Sequence, residues 1–138
     1  MNKNYALVTG STAGIGLDIA KELAEKGNNI ILTARREERL KDISTQLTED
    51  FKIHCDYVVA DLSEITAPET IFKFCSDRNY SIDILVNNAG YSINKKFHET
   101  AEDEEENFLR VLGISVIALT KKFIPGMLDR KYGKIMIV

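Results

Sequence analysis

A chain of 138 residues that is 44% hydrophobic and 28% charged has the size for one domain with a buried core and the composition of a globular protein. Its net charge of −3 gives no basis for nucleic acid as a partner, and no apolar run approaches the roughly 20 residues that span a bilayer. Cys55 and Cys75 form no Cys-x-x-Cys pair and read as reduced thiols, and nothing near His54 or His98 has metal-ligand spacing, so no metal is expected.

Met1-Asn2-Lys3-Asn4 leads straight into an apolar run, without the features of a secretory signal or transit peptide, which makes the cytoplasm the expected location. Residues 5–9 are predicted as a first strand, and 14–27 as a helix ended by Gly27. The stretch 29–34 is short and almost wholly apolar, as in a parallel strand covered on both faces. A charged helix follows at 36–49, with Leu40, Ile43 and Leu47 on one face. A third strand at 53–59 precedes a helix at 67–78 that has Pro68 in its first turn. A fourth strand at 82–87 is followed by a long helix at 101–130, whose acidic start at Glu102 to Glu106 matches the helix dipole. The last strand is 134–138. Repeated strand–helix–strand units imply right-handed crossovers, hence an α/β, doubly wound fold with a parallel sheet between two helix layers.

Between the first strand and the first helix lies Thr9-Gly10-Ser11-Thr12-Ala13-Gly14-Ile15-Gly16. A glycine-rich turn from strand into helix is suited to a dinucleotide pyrophosphate. Gly10 permits the tight turn, Gly14 leaves no side chain where phosphate meets backbone, and Gly16 lets the helix lie close to the sheet. The helix N-terminus adds unpaired N–H groups and a partial positive charge. At the end of the second strand, a site for NAD ordinarily carries Asp or Glu for the ribose 2′-hydroxyl. Here Ala34 is followed by Arg35 and Arg36. A guanidinium grips a 2′-phosphate that a carboxylate would repel, so Arg35 points to NADP(H) over NAD(H). Arg36 is either a second such group or a surface charge. Asp61, at the end of the third strand, either accepts a hydrogen bond from an adenine amino group or caps the next turn. After the fourth strand, Asn87-Asn88-Ala89-Gly90 combines side chains that can tie loops together with a backbone left open to a ligand.

With these residues the chain resembles the amino-terminal half of a short-chain dehydrogenase/reductase. The matching segments are Thr9-Gly10-x-x-x-Gly14-Ile15-Gly16, Asp61-Leu62 and Asn87-Asn88-Ala89-Gly90, with Val111-Leu112-Gly113 through Phe123-Ile124-Pro125-Gly126-Met127 in the long helix. The resemblance covers essentially all of the sequence. It implies a Rossmann-type sheet of about five strands in the order 3-2-1-4-5, truncated before the last strands of the family. It also implies a cofactor site that includes Gly10, Ser11, Thr12, Gly14, Ile15 and Gly16. Of these, Gly10, Thr12 and Ile15 would line the pyrophosphate. Arg35 would read the 2′-phosphate, Asp61 and Leu62 would flank adenine, Asn88 and Gly90 would lie near the adenosine ribose, and Ala89 would belong to the same cofactor site. The implied reaction is reversible hydride transfer between nicotinamide and a small-molecule carbonyl or secondary alcohol.

The resemblance also implies what residues 1–138 lack. The family's catalytic serine follows the fifth strand, and its Tyr-x-x-x-Lys lies on the next helix, both beyond Val138. A tyrosine that protonates the alkoxide, a lysine that lowers its pKa and a serine that orients the carbonyl are needed for the chemistry. The 138 residues alone are therefore expected to be inactive, and the alternative reading is an inactive dinucleotide-binding or vestigial protein. Tyr91-Ser92-Ile93-Asn94-Lys95 has the tyrosine–lysine spacing, but it follows a strand exit without helical period and is not expected to be catalytic. Arg110 stands where the family usually has Asn, with Asn107 one turn earlier.

Leu109, Leu112, Val116, Leu119, Phe123 and Met127 form an apolar stripe, widened by Val111, Ile114, Ile117 and Ile124 beyond one face. One side is expected on the sheet and the other on a second copy of the chain, giving a homo-oligomer through the helix 101–130. Ile135 to Val138 would form an unprotected edge. The isolated chain is thus expected to self-associate or to be marginally stable. A sharp monomeric sedimentation profile with a cooperative melt would count against this.

Overall fold

In a computed structural model, which describes residues 3–138 with the side chain of Lys3 left aside, strands and helices alternate in the expected order. Met1 and Asn2, part of the N-terminal reading, lie outside the described residues. The elements are β1 (Lys3–Thr9), α1 (Gly14–Glu25), β2 (Asn29–Ala34), α2 (Glu37–Phe51), β3 (Cys55–Val59), α3 (Ala67–Asp77), β4 (Tyr80–Asn87), α4 (Glu102–Leu109), α5 (Ser115–Arg130) and β5 (Lys134–Ile137). The sheet is parallel throughout, in the order β3-β2-β1-β4-β5. Its order reverses beside β1, so the carboxyl ends of β1 and β4 bound the crevice where such sheets take ligands.

Successive side chains of a strand face opposite ways, and β1 shows why its run is apolar without interruption. Tyr5 and Leu7 join Ile31, Leu85, Ile71, Leu119 and Phe123 on one side of the sheet. Ala6 and Val8 join Ile30, Leu32, Ala20 and Ala24 on the other, together with Leu40, Ile43 and Leu47 of α2 as predicted. Cys55 and Cys75 are free and buried, and burial pushes both thiols up to about 12. Arg130 donates to Asp83 and to the Ile82 carbonyl (2.8 Å), so the buried Asp83 carboxylate is paired at the opposite end of β4 from the crevice.

The long helix departs from its prediction. It runs from Glu102 to Arg130 but widens to a π segment at Arg110–Ile114, between α4 and α5. Such turns bond i to i+5 and shift which residues share a face. The buried row is Val111, Ser115, Leu119, Phe123 and Met127; the second half of the expected stripe, Leu119, Phe123 and Met127, is in it, while Leu109 and Leu112 are 61% and 39% exposed. Ser115 is tolerated in that row because its hydroxyl donates to the Val111 carbonyl (2.7 Å). Lys121 and Lys122 interrupt the apolar run in the sequence. The helix is nevertheless long and apolar enough to cross a membrane, with a mean hydropathy of 1.6 over 18 residues, contrary to the expectation that no apolar run approaches that length. In this fold its buried row packs on β4 and α3. Leu109, Ile114, Ile117 and Leu128 face outward, as do the side chains of β5.

Candidate functional site

The carboxyl ends of β1 to β4 surround a cleft of about 680 Å³. The glycine loop forms one wall. Gly10 and Gly14 have φ of +62° and +55°, the left-handed region that side chains disfavour. The loop is fastened at its first half. Ser11 is buried, and its N–H and hydroxyl both reach the Thr33 carbonyl (3.5 and 3.4 Å). Thr12 takes two arginine contacts from beyond β2: its hydroxyl accepts from Arg36 and its carbonyl accepts the Nε–H of Arg39, each at 3.4 Å. Ala13, Gly14 and Ile15 are left exposed. Ala13 caps α1 without a side-chain hydrogen bond, and the first turn, Gly14-Ile15-Gly16-Leu17, carries no acid. The helix therefore presents its N–H groups and dipole to an anion rather than to its own side chains.

The opposite wall is Asn88-Ala89-Gly90, and Thr9 ties the two together. Its hydroxyl accepts the N–H groups of Asn88 and Ala89, both at 2.9 Å, and lies 3.4 Å from the Val86 carbonyl to which it donates. The Asn88 amide donates to the carbonyls of Thr9 and Gly10 (3.2 Å each). Gly16 serves this clasp. A Cβ there would overlap the Gly10 carbonyl oxygen and the Asn88 amide nitrogen, so this glycine makes room for loop and asparagine rather than for the strand. A Cβ on Gly10 would stand 2.8 Å from Cα of Ala89. Thr9→Val removes the acceptor from two N–H groups and is expected to cost about 2 kcal/mol, read by urea unfolding. Thr9→Ser should recover most of that loss, and a Val variant as stable as wild type would break the assignment.

On the third side stand Arg35 and Asp61. Arg35 is exposed at the rim, after a β2 end without a carboxylate. Asp61 plays the capping role: one carboxylate oxygen accepts the hydroxyl and N–H of Ser63 (2.7 and 2.9 Å). The Ser63 hydroxyl is the main reason its carboxyl is held below the usual value, with the charge of Arg35 contributing least. Leu62 is buried in the core with one side on the cleft.

Of the predicted site residues, Gly10, Thr12, Ile15, Arg35, Asp61, Leu62, Asn88, Ala89 and Gly90 line the cleft. Ser11, Gly14 and Gly16 do not: Ser11 and Gly16 are buried behind the loop, and Gly14 is exposed without lining the cleft. Arg110 is also absent from the lining. From the long helix the residues that line the cleft are Asn107 and Val111, on either side of Arg110, where the π segment begins. Residues 91–95 are not helical. Tyr91 packs edge-on to Phe108 (5.5 Å) while Lys95 pairs with Glu104 (2.7 Å), so they share no helix face. The sequence reading missed Thr9 as a hub and Arg39 as a loop contact; a hydroxyl at a strand end and an arginine in a charged helix look alike at many surfaces.

The family model described as short chain dehydrogenase matches residues 4–138. Hydroxysteroid dehydrogenase-like protein 1 of Gallus gallus is 38% identical over 137 residues, which are 97% of this chain and 41% of that protein. Inactive hydroxysteroid dehydrogenase-like protein 1 of Homo sapiens is 35% identical over 139 residues, covering 97% of this chain and 41% of its own length. The structure of L-sorbose reductase from Gluconobacter frateurii, complexed with NADPH and L-sorbose, superposes with a TM-score of 0.92 at 31% identity, over 99% of this chain and 51% of that one. The chain thus spans two-fifths to one-half of the length of these proteins.

Proposed function

The chain belongs to the short-chain dehydrogenase family, and from that premise we propose that it is the NADP(H)-holding part of an oxidoreductase that interconverts a carbonyl and a secondary alcohol. The observation that carries this reading is the cleft itself: a glycine loop in left-handed turns, an uncapped helix N-terminus beside it, and an arginine where a carboxylate would select NAD. The residues fit the cofactor. Gly10, Thr12 and Ile15 would hold the pyrophosphate, Arg35 the 2′-phosphate, and Asp61 and Leu62 would border the adenine. Asn88 holds the wall by the ribose rather than offering a free amide, since its N–H₂ is engaged by Thr9 and Gly10. When bound, the nicotinamide supplies or takes up the hydride. This segment binds and orients. Among the described residues no lysine lines the cleft.

A second reading is favoured by one observation, the similarity to a human protein described as inactive. In that reading the cleft holds the dinucleotide and no turnover follows. Titration with NADPH and NADH, followed by nicotinamide fluorescence, tests what the two readings share. NADPH should bind more tightly. Equal affinities would remove the assignment of Arg35, and binding of neither nucleotide would remove both readings. Turnover of carbonyl substrates by the protein that carries this sequence then separates them.

A further inference from the structure

Thr12 sits between the two left-handed glycines, Gly10 and Gly14, at the point where the loop leaves its anchor on Ser11 and becomes exposed. Two guanidinium groups converge on it from the start of α2: Arg36 on the hydroxyl and Arg39 on the carbonyl, both at 3.4 Å. The two arginines differ in one respect. Arg36 lines the cleft and Arg39 does not. Each contact is long for a hydrogen bond, but both are charge-assisted and act on one residue. They fasten the loop at the residue before its exposed stretch, Ala13 to Ile15.

On the reading of the cleft as a dinucleotide site, we propose that Arg39 is a positioning residue. It latches the Thr12 carbonyl so that the loop already holds the anion-binding shape before the nucleotide arrives. A residue that works through the loop acts on the pyrophosphate, which NADP(H) and NAD(H) share. Arg39 therefore sets affinity for both dinucleotides and preference for neither, whereas Arg35 sets preference. Preorganisation of this kind raises affinity by removing the cost of ordering the loop on binding.

The test is calorimetric titration of the full chain with NADP+ and with NAD+, for wild type, Arg39→Met and Arg39→Lys. In Arg39→Met both dissociation constants should rise about fivefold, with their ratio unchanged within about twofold. Amide hydrogen exchange at residues 12–16 of the nucleotide-free protein should quicken, while core amides of β1 and β4 hold. Arg39→Lys keeps the charge but lacks the Nε–H, and should recover less than half of the loss. A loss confined to NADP+ would make Arg39 a phosphate reader and overturn the latch. Full recovery by Lys, which would mean charge alone, or unchanged affinities in Arg39→Met would also overturn it. If the wild type binds neither nucleotide, the reading of the cleft falls, and the latch with it.

Discussion

Arg35→Ala is expected to abolish the preference for NADPH over NADH, weakening NADPH at least tenfold while leaving NADH within about twofold. A guanidinium on a phosphate makes charge-assisted hydrogen bonds worth about 1.5–3 kcal/mol, and only the phosphorylated cofactor loses them. Arg35→Asp should go further and invert the preference, since a carboxylate at the end of β2 accepts from a ribose hydroxyl and repels a 2′-phosphate. Arg36→Ala should have the smaller effect of the two single removals, because Arg36 is partly engaged by Thr12. Dissociation constants from fluorescence titration decide the matter. A preference that survives Arg35→Ala, or that disappears only with Arg36→Ala, would move the phosphate site to Arg36.

Gly16→Ala should be the most damaging single methyl in the loop. Its Cβ would overlap a backbone carbonyl and the amide of Asn88, neither of which is the free end of a flexible chain. Relief requires α1 to move or the Asn88 clasp to open. An overpacking cost of about 2–3 kcal/mol is expected, with nucleotide affinity reduced because both cleft walls shift. Gly14→Ala provides the contrast. No atom lies within 4 Å of its would-be Cβ, so its cost is that of a left-handed φ of +55°, about 1 kcal/mol. Urea unfolding of both variants separates the two mechanisms. A Gly16→Ala protein as stable as Gly14→Ala would show that the loop yields more easily than its contacts imply.

The parts of the fold that were legible are those where one local signal is enough. The apolar runs of β1 and β2, the face made by Leu40, Ile43 and Leu47, the proline at the head of α3 and the glycines of the loop each carry their structural reason in neighbouring residues. Strand order came from the family resemblance, since alternation of elements fixes parallel pairing but not sequence along the sheet. Ser11 and Gly16 were assigned to the site by motif, yet they lie behind the wall rather than on the cleft, a distinction that depends on Thr33 and Asn88, far away in the chain. Thr9 escaped for the same reason: its partners lie 77 to 80 residues on. The buried row of the long helix was read correctly at Leu119, Phe123 and Met127 and misjudged at Leu109 and Leu112, next to or within the segment Arg110–Ile114, where hydrogen bonding is not regular.

That segment sets the rotational phase between α4 and α5. A turn that bonds i to i+5 holds one residue more than a turn of α-helix, and the flanks on either side remain in phase only because the surplus is absorbed there. Each residue added to or removed from a helix turns every later side chain by about 100° around the axis. Arg110 directly precedes Val111, and the residues of this helix that line the cleft are Asn107 and Val111. A residue inserted or deleted between 110 and 114 would therefore turn α4 against α5, whereas the segment as it stands keeps Val111 on the cleft and Ser115, Leu119, Phe123 and Met127 in the core.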